Sequence, residues 1–122
     1  MIGTLILCAT LFVVDGDTIK CNGQLMRDMG DGAPFVSGYD TPEVGSHAHC
    51  DAERALGRKA KARTQQLMAT PGVRIYASGV TDGRYGRPLV RIALPDGRTI
   101  GSVLLAEGLA RKWTPGYHGA WC

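Results

Sequence analysis

Residues 51–77 read DAERALGRKAKARTQQLMATPGVRIYA. Asp51 can cap a helix that runs to about Met68. Ala52, Ala55, Leu56, Ala60, Leu67 and Met68 give that helix an apolar stripe against a face of arginines and lysines. Pro71-Gly72 stops it, and residues 73–77 then alternate as a strand does. A single helix thus feeds directly into a strand, and the fold depends on what flanks the pair.

On the N-terminal side, residues 5–14 (LILCATLFVV) and 18–21 (TIKC) read as two strands joined at Asp15-Gly16. Residues 24–27 continue the sheet after the Asn22-Gly23 turn, and residues 28–38 are loop-like, broken by Gly30, Gly32, Pro34 and Gly38. On the C-terminal side, residues 89–94 (LVRIAL) form a further strand, and Asp96-Gly97 turns it into Arg98-Thr99-Ile100. Ser102 caps a short helix through Glu107, with Gly108 as its stop and Leu109 beyond it. Residues 113–122 are irregular and aromatic. The order is strands, helix, strands, short helix. A helix between the third and fourth strands of a small five-stranded barrel is the OB-fold arrangement. The expected fold is therefore mainly β with helices, an α+β β-barrel. The 122 residues suit one domain, 1–122, with no repeat and no evident linker.

With 44% hydrophobic and 20% charged residues, the composition is globular rather than disordered. A formal net charge of +3 permits a polyanionic partner without demanding one. Basic residues gather in two groups, Arg54 to Arg63 on the helix and Arg84 to Lys112 after it; a solvated surface accounts for many of them. Residues 5–14 fall short of the ~20 apolar residues of a bilayer span. They also lack a charged leading region, so neither a membrane partner nor a signal peptide is expected. A monomer is expected.

The cysteines Cys8, Cys21, Cys50 and Cys122 show no CxxC spacing, which argues against a zinc ribbon or a redox motif. Cys8 and Cys21 flank the Asp15-Gly16 turn at nearly equal distances, so a hairpin brings them together on one face. A bridge from Cys50 to Cys122 would staple the tail to the body. Paired cysteines imply an oxidising compartment, secreted or periplasmic; four thiols in a reducing cytosol are the competing reading.

Two short acidic motifs carry the chemistry. Asp15 and Asp17 stand around Gly16, a spacing that puts both carboxylates on one face of an extended chain. Asp40 and Glu43 stand in DTPE, with Pro42 restraining the backbone between them. A hard cation such as calcium takes roughly six to eight oxygens from carboxylates, backbone carbonyls and water. One Asp from each motif, a carbonyl and waters meet that demand. A carboxylate held off the metal can take a proton from an attacking water. Either motif alone is an ordinary turn. Together they point to a metal-centred site for cleaving phosphodiesters.

VVDGDTIKC (13–21), DTPE (40–43), CDAERALGRKA (50–60) and DGRYGRPLVRIALPDGRTIGSVLLAEGLAR (82–111) follow one another in an order and spacing that resembles the thermonuclease (staphylococcal nuclease-like) family. The resemblance covers nearly the whole chain. It implies a five-stranded OB-fold barrel and calcium-dependent hydrolysis of DNA and/or RNA, with little sequence preference and 3′-phosphate ends. It also implies that Asp17, Asp40 and the backbone carbonyl of Thr41 bind Ca2+, that Glu43 orients or deprotonates the attacking water, and that Asp15 stands behind them. Arg87 matches an arginine that clamps the phosphate, and a planar guanidinium can bond two oxygens of the charged transition state at once. Tyr85 matches a tyrosine that packs on the nucleotide, with a role covering the barrel core as its alternative.

One position departs. The family has a second arginine five residues before the aspartate matched by Asp40, and Phe35 stands there. Residues 23–27 keep the family's spacing from turn glycine to arginine, so residues 28–39 look like an insertion. Either Arg27 is the second clamp, or the clamp is absent and the domain is a catalytically weakened nucleic-acid-binding or interaction module. His47, His49 and Cys50 group three nitrogen and sulfur donors. Histidines in a glycine-containing loop more often face solvent, and Cys50 has a competing disulfide role. Trp113, Tyr117 and Trp121 are read as lids over the barrel end, with base stacking as the alternative.

Overall fold

The computed structural model describes residues 3–122. Its elements are β1 (Thr4–Ile6), β2 (Leu11–Asp15), β3 (Thr18–Cys21), β4 (Gln24–Asp28), β5 (Gly38–Asp40), α1 (Asp51–Met68), β6 (Arg74–Thr81), β7 (Pro88–Ala93), α2 (Ile100–Ala106) and β8 (Arg111–Trp113). Six strands form one sheet in the order β1-β6-β7-β4-β3-β2, antiparallel except for β4 with β7; β5 and β8 form a second, two-stranded sheet. The fold is the expected class, mainly β with two helices and OB-like.

The strand expected over residues 5–14 is in fact two. β1 pairs with β6 and β2 pairs with β3. These two edge strands of the sheet are consecutive in the chain, so the sheet curls back on itself through residues 7–10. A segment that changes partner must leave the ladder between them, which is why one apolar run cannot be one strand. The bend is pinned twice: Cys8 is bonded to Cys21 at the end of β3, and Asn22 Oδ1 accepts the Ala9 and Thr10 N–H groups at 2.8 and 3.2 Å. Such bonds satisfy backbone donors that the ladder has released.

Both helix starts differ by a residue or more from the sequence reading. The cap of α1 is Cys50, whose sulfur accepts the Glu53 N–H at 3.4 Å; Asp51 is the first helical residue, where its charge suits the helix N-terminus. The cap of α2 is Thr99, whose Oγ1 accepts the Ser102 N–H at 3.1 Å. Ile100 therefore opens a helix instead of closing a strand, and only Thr99 bridges back to Ala93. The helix ends at Ala106, where Gly108 at φ +74 and the Leu109 N–H on the Leu104 carbonyl at 2.9 Å complete the expected stop. Ile19, Ile75, Val90, Ile92, Ile100 and Leu104 lie at the centre of the core.

Candidate active site

The buried face of α1 is Glu53, Gly57, Ala60, Thr64 and Leu67, while Ala52 is exposed and Ala55 and Leu56 are half-buried. Apolar periodicity finds Ala60 and Leu67 of this face but not Glu53, Gly57 and Thr64, which meet the backbone of the acidic motifs. A Cβ at Gly57 would lie 2.2 Å from the Glu43 carbonyl oxygen, so a glycine is what allows α1 to close on residues 42–43. One turn earlier, Glu53 Oε2 accepts the Glu43 N–H at 3.1 Å and Oε1 accepts the His49 N–H at 2.8 Å. Two turns later, the Thr64 hydroxyl donates to the Gly16 carbonyl at 3.0 Å. A single helix face therefore holds both acidic motifs.

The motifs also touch each other. A Cβ at Gly16 would lie 2.6 Å from the Thr41 side chain, and Asp17 Oδ2 accepts the Thr41 N–H at 3.3 Å. Asp17 is buried, with Oδ1 accepting the Thr18 hydroxyl at 3.0 Å, and its own N–H donates to Asp15 Oδ1 at 3.2 Å. Beneath them the fully buried Tyr39 donates its hydroxyl to Asp28 Oδ2 at 2.6 Å, with the Gly16 carbonyl 3.3 Å away. Asp28 Oδ1 in turn accepts the Gly30 N–H at 3.1 Å. Sequence reading passed over Glu53, Asp28 and Tyr39. Glu53 carried a signal, an acid three residues after the helix cap; Asp28 and Tyr39 carried none.

Arg27, on β4, sits at the centre of the charges. Its Nη2 is 3.2 Å from Asp17 Oδ2 and 4.0 Å from Asp40 Oδ1, and it donates to the Tyr39 carbonyl at 2.8 Å. Burial works to raise the Asp17 pKa, but Arg27, then hydrogen bonds from Asp15, Thr18 and Thr41, hold it below its ordinary value. Burial, then the charge of Asp17, pushes Asp15 up to about 9. Asp40 and Glu43 are raised as well, by burial first and then by neighbouring carboxylates. A raised Glu43 is better matched to taking up a proton near neutrality.

Arg87 stands in the loop before β7 and shares a cleft with Arg27. Its Nε donates to Asp82 Oδ2 at 2.8 Å, and its guanidinium lies 5.1 Å from the Tyr85 ring centre. Arg27 and Arg87 line one cleft of about 130 Å³, walled by Phe35, Leu89 and Trp113. Position 35 itself brings no charge: Phe35 is an exposed ring on a left-handed residue, φ +63. Tyr85 is 65% exposed, so it does not cover the core.

The donors offered by Asp17, Asp40 and Thr41 are all hard oxygens, and the Thr41 hydroxyl is buried without a hydrogen-bond partner. Asp17, ionised beside Asp40, raises the Asp40 pKa, and a cation near the pair would relieve that repulsion. The residues therefore fit calcium. Among the described residues no group of three or more His, Cys, Asp or Glu side chains is placed to hold a metal, so carbonyl and water ligands would complete the shell. Cys50 is bonded to Cys122, which removes it from the HxHC donor group, and His49 is an exposed ring 2.9 Å from Glu53 through Nδ1. The aromatics of residues 113–121 lie on the site and not on the barrel end: Trp113 walls the cleft, and Tyr117 and Trp121 both donate to Asp40 Oδ2.

The family model described as "Staphylococcal nuclease homologue" matches residues 36–118. That span takes in Asp40, Thr41, Glu43, Tyr85 and Arg87 and begins after Asp15, Asp17 and Arg27. No curated protein matches the chain.

Proposed function

The chain belongs to the staphylococcal nuclease family, a nuclease and nucleic-acid-related family, and from that premise we propose that it is a calcium-dependent nuclease hydrolysing DNA and/or RNA with little sequence preference. The observation that carries this reading is the meeting of two arginines in one cleft, one of them, Arg27, also paired with Asp17 and within 4.0 Å of Asp40. Arg27 and Arg87 bind the phosphate from two sides and stabilise the charge that develops as water adds to phosphorus. Glu43 takes the proton of that water, its backbone fixed by Glu53 and by the close approach of Gly57. The bond to the 5′-oxygen breaks, the leaving oxygen takes a proton from solvent, and the phosphate stays on the 3′-oxygen. Asp17, Asp40 and the Thr41 carbonyl would hold calcium, which supplies Lewis-acid polarisation of the phosphoryl oxygen when bound. Phe35, Tyr85 and Trp113 offer apolar faces to bases, which suits stacking without base-edge readout.

The two disulfides point to an oxidising compartment, and a secreted or periplasmic location follows from the proposal. No helix among the described residues is long and apolar enough to cross a membrane. The test is incubation of the protein with single-stranded DNA and calcium, with a chelator control and the Glu43→Gln variant alongside. Chelator-sensitive degradation that Glu43→Gln abolishes is the expected result. Absence of cleavage with calcium, magnesium and manganese, beside salt-dependent DNA binding, would identify the binding module instead.

A further inference from the structure

Asp40 is the last residue of β5, and it pairs there with Arg111 at the start of β8. That pairing delivers segment 114–122 to the acidic cluster. The segment contains no further strand or helix; one backbone turn, from the Tyr117 N–H to the Thr114 carbonyl at 3.0 Å, and side-chain bonds hold it. Tyr117 Oη donates to Asp40 Oδ2 at 3.1 Å, and Trp121 Nε1 donates to the same oxygen at 3.3 Å. Oδ1 is left facing Arg27 at 4.0 Å. Two donors on one oxygen fix the rotation of the carboxylate and leave its other oxygen for the site.

The donors are themselves held. The Arg111 guanidinium stacks over Trp121 at 4.0 Å and donates to the Ala120 carbonyl at 2.6 Å. A Cβ at Gly119 would lie 2.9 Å from Asp40 Oδ2, so a side chain there would intrude between the segment and the carboxylate. Cys122 is bonded to Cys50, the cap of the helix whose Glu53 and Gly57 hold Glu43. One covalent bond therefore joins the support of Asp40 to the support of Glu43.

We propose that Tyr117 and Trp121 are positioning residues that orient Asp40 as a cation ligand, and that the Cys50–Cys122 bond holds them on it. The inference rests on the reading of Asp40 as part of the calcium site. Partners that orient a metal ligand typically change metal affinity by about 10- to 100-fold when removed. The test is calcium binding by titration calorimetry, with thermal unfolding to verify the fold and cleavage of single-stranded DNA followed across calcium concentration. Tyr117→Phe/Trp121→Phe removes both donors while keeping the disulfide and an aromatic ring at each position, the smaller phenyl at 121 still offering Arg111 a face; Tyr117→Phe alone removes one donor with its ring intact. The calcium Kd of the double variant should weaken by about 10- to 100-fold, with the rate recovering as calcium saturates. Cys50→Ser/Cys122→Ser should weaken calcium binding in the same direction. Wild-type binding and cleavage with unchanged affinity in the double-Phe variant overturns the positioning role alone. A wild type that neither binds calcium nor cleaves overturns the nuclease reading, and this inference with it.

Discussion

Replacing Arg27 by glutamine separates the counter-charge that its guanidinium supplies from the phosphate clamp proposed for it. As a counter-charge, Nη2 lies 3.2 Å from Asp17 Oδ2 and 4.0 Å from Asp40 Oδ1. At an effective dielectric near 20, a unit-charge pair at that shorter distance interacts by about 5 kcal/mol before desolvation. Measured costs of removing one partner of a buried pair run about 3–5 kcal/mol. The Arg27 side chain is 24% exposed and Asp17 only 7%; water screens the arginine end, which places the expected loss near the low end, about 3 kcal/mol. As the proposed transition-state donor, the same group would contribute about 100- to 1000-fold in kcat.

Urea unfolding and initial rates on single-stranded DNA read the two losses separately. Arg27→Lys keeps the charge and gives up the planar fork, so it should recover most of the stability and little of the rate. Saturating calcium should return part of the stability lost in Arg27→Gln, since a ligand at a hundredfold excess over its Kd contributes about 2.7 kcal/mol. A glutamine variant that is destabilised yet cleaves at the wild-type rate would refute the clamp and leave Arg27 as a structural counter-charge. A lysine variant with full rate would refute the need for a bidentate group.

Three further outcomes follow from groups beneath and around the site. Burial raises Asp28 to about 6 from 3.8, so the folded state holds that proton more tightly than the unfolded chain. Its contribution favours the fold in full below about pH 4 and is lost as pH rises to about 6, roughly 3 kcal/mol over the window; Asp28→Asn should show a fall in urea-unfolding stability from pH 4 to 7 that is smaller than the wild type's by about that amount, the rest coming from Asp15, Asp40 and Glu43, and parallel curves would refute it. Glu53→Gln can no longer offer two carboxylate oxygens to the Glu43 and His49 N–H groups, so about 1–3 kcal/mol of stability and part of kcat should go together; a normal rate in a destabilised variant would show that Glu43 keeps its place unaided. Cys8→Ala/Cys21→Ala opens a loop with a sequence separation of 13 at the bend between β1 and β2, at a cost of about 3 kcal/mol with calcium affinity untouched. A parallel loss of calcium affinity would refute that separation of bend from site.

The fold was legible wherever a local rule decides it. The helix bounds at Asp51 and Met68 follow from a cap region, a period and a Pro-Gly stop, and the β2–β3 hairpin follows from the glycine turn beside Asp15. What failed was local reading of non-local choices. Nothing within residues 5–14 records that Ile6 faces β6 while Leu11 faces β3, and nothing in residues 28–38 shows that β5 will find β8 more than seventy residues later.

The site divides the same way. Its carboxylates and Arg87 lie in short motifs, where spacing and chemistry coincide, so they were visible before any coordinates. The groups that hold them in place were not. Glu53 and Thr64 sit on a helix face that periodicity assigns to solvent because it counts them as polar, yet each is buried on a backbone group of an acidic motif. A hydrophobicity pattern reads water against oil, and it has no term for a polar side chain whose partner is a distant N–H or carbonyl. Tyr117 and Trp121 are the extreme case. Seventy-seven and eighty-one residues from Asp40, they reach it only because β8 pairs with β5 and Cys122 closes on Cys50. The substitutions with the largest effect on calcium affinity should therefore include positions with no acidic or basic group at all.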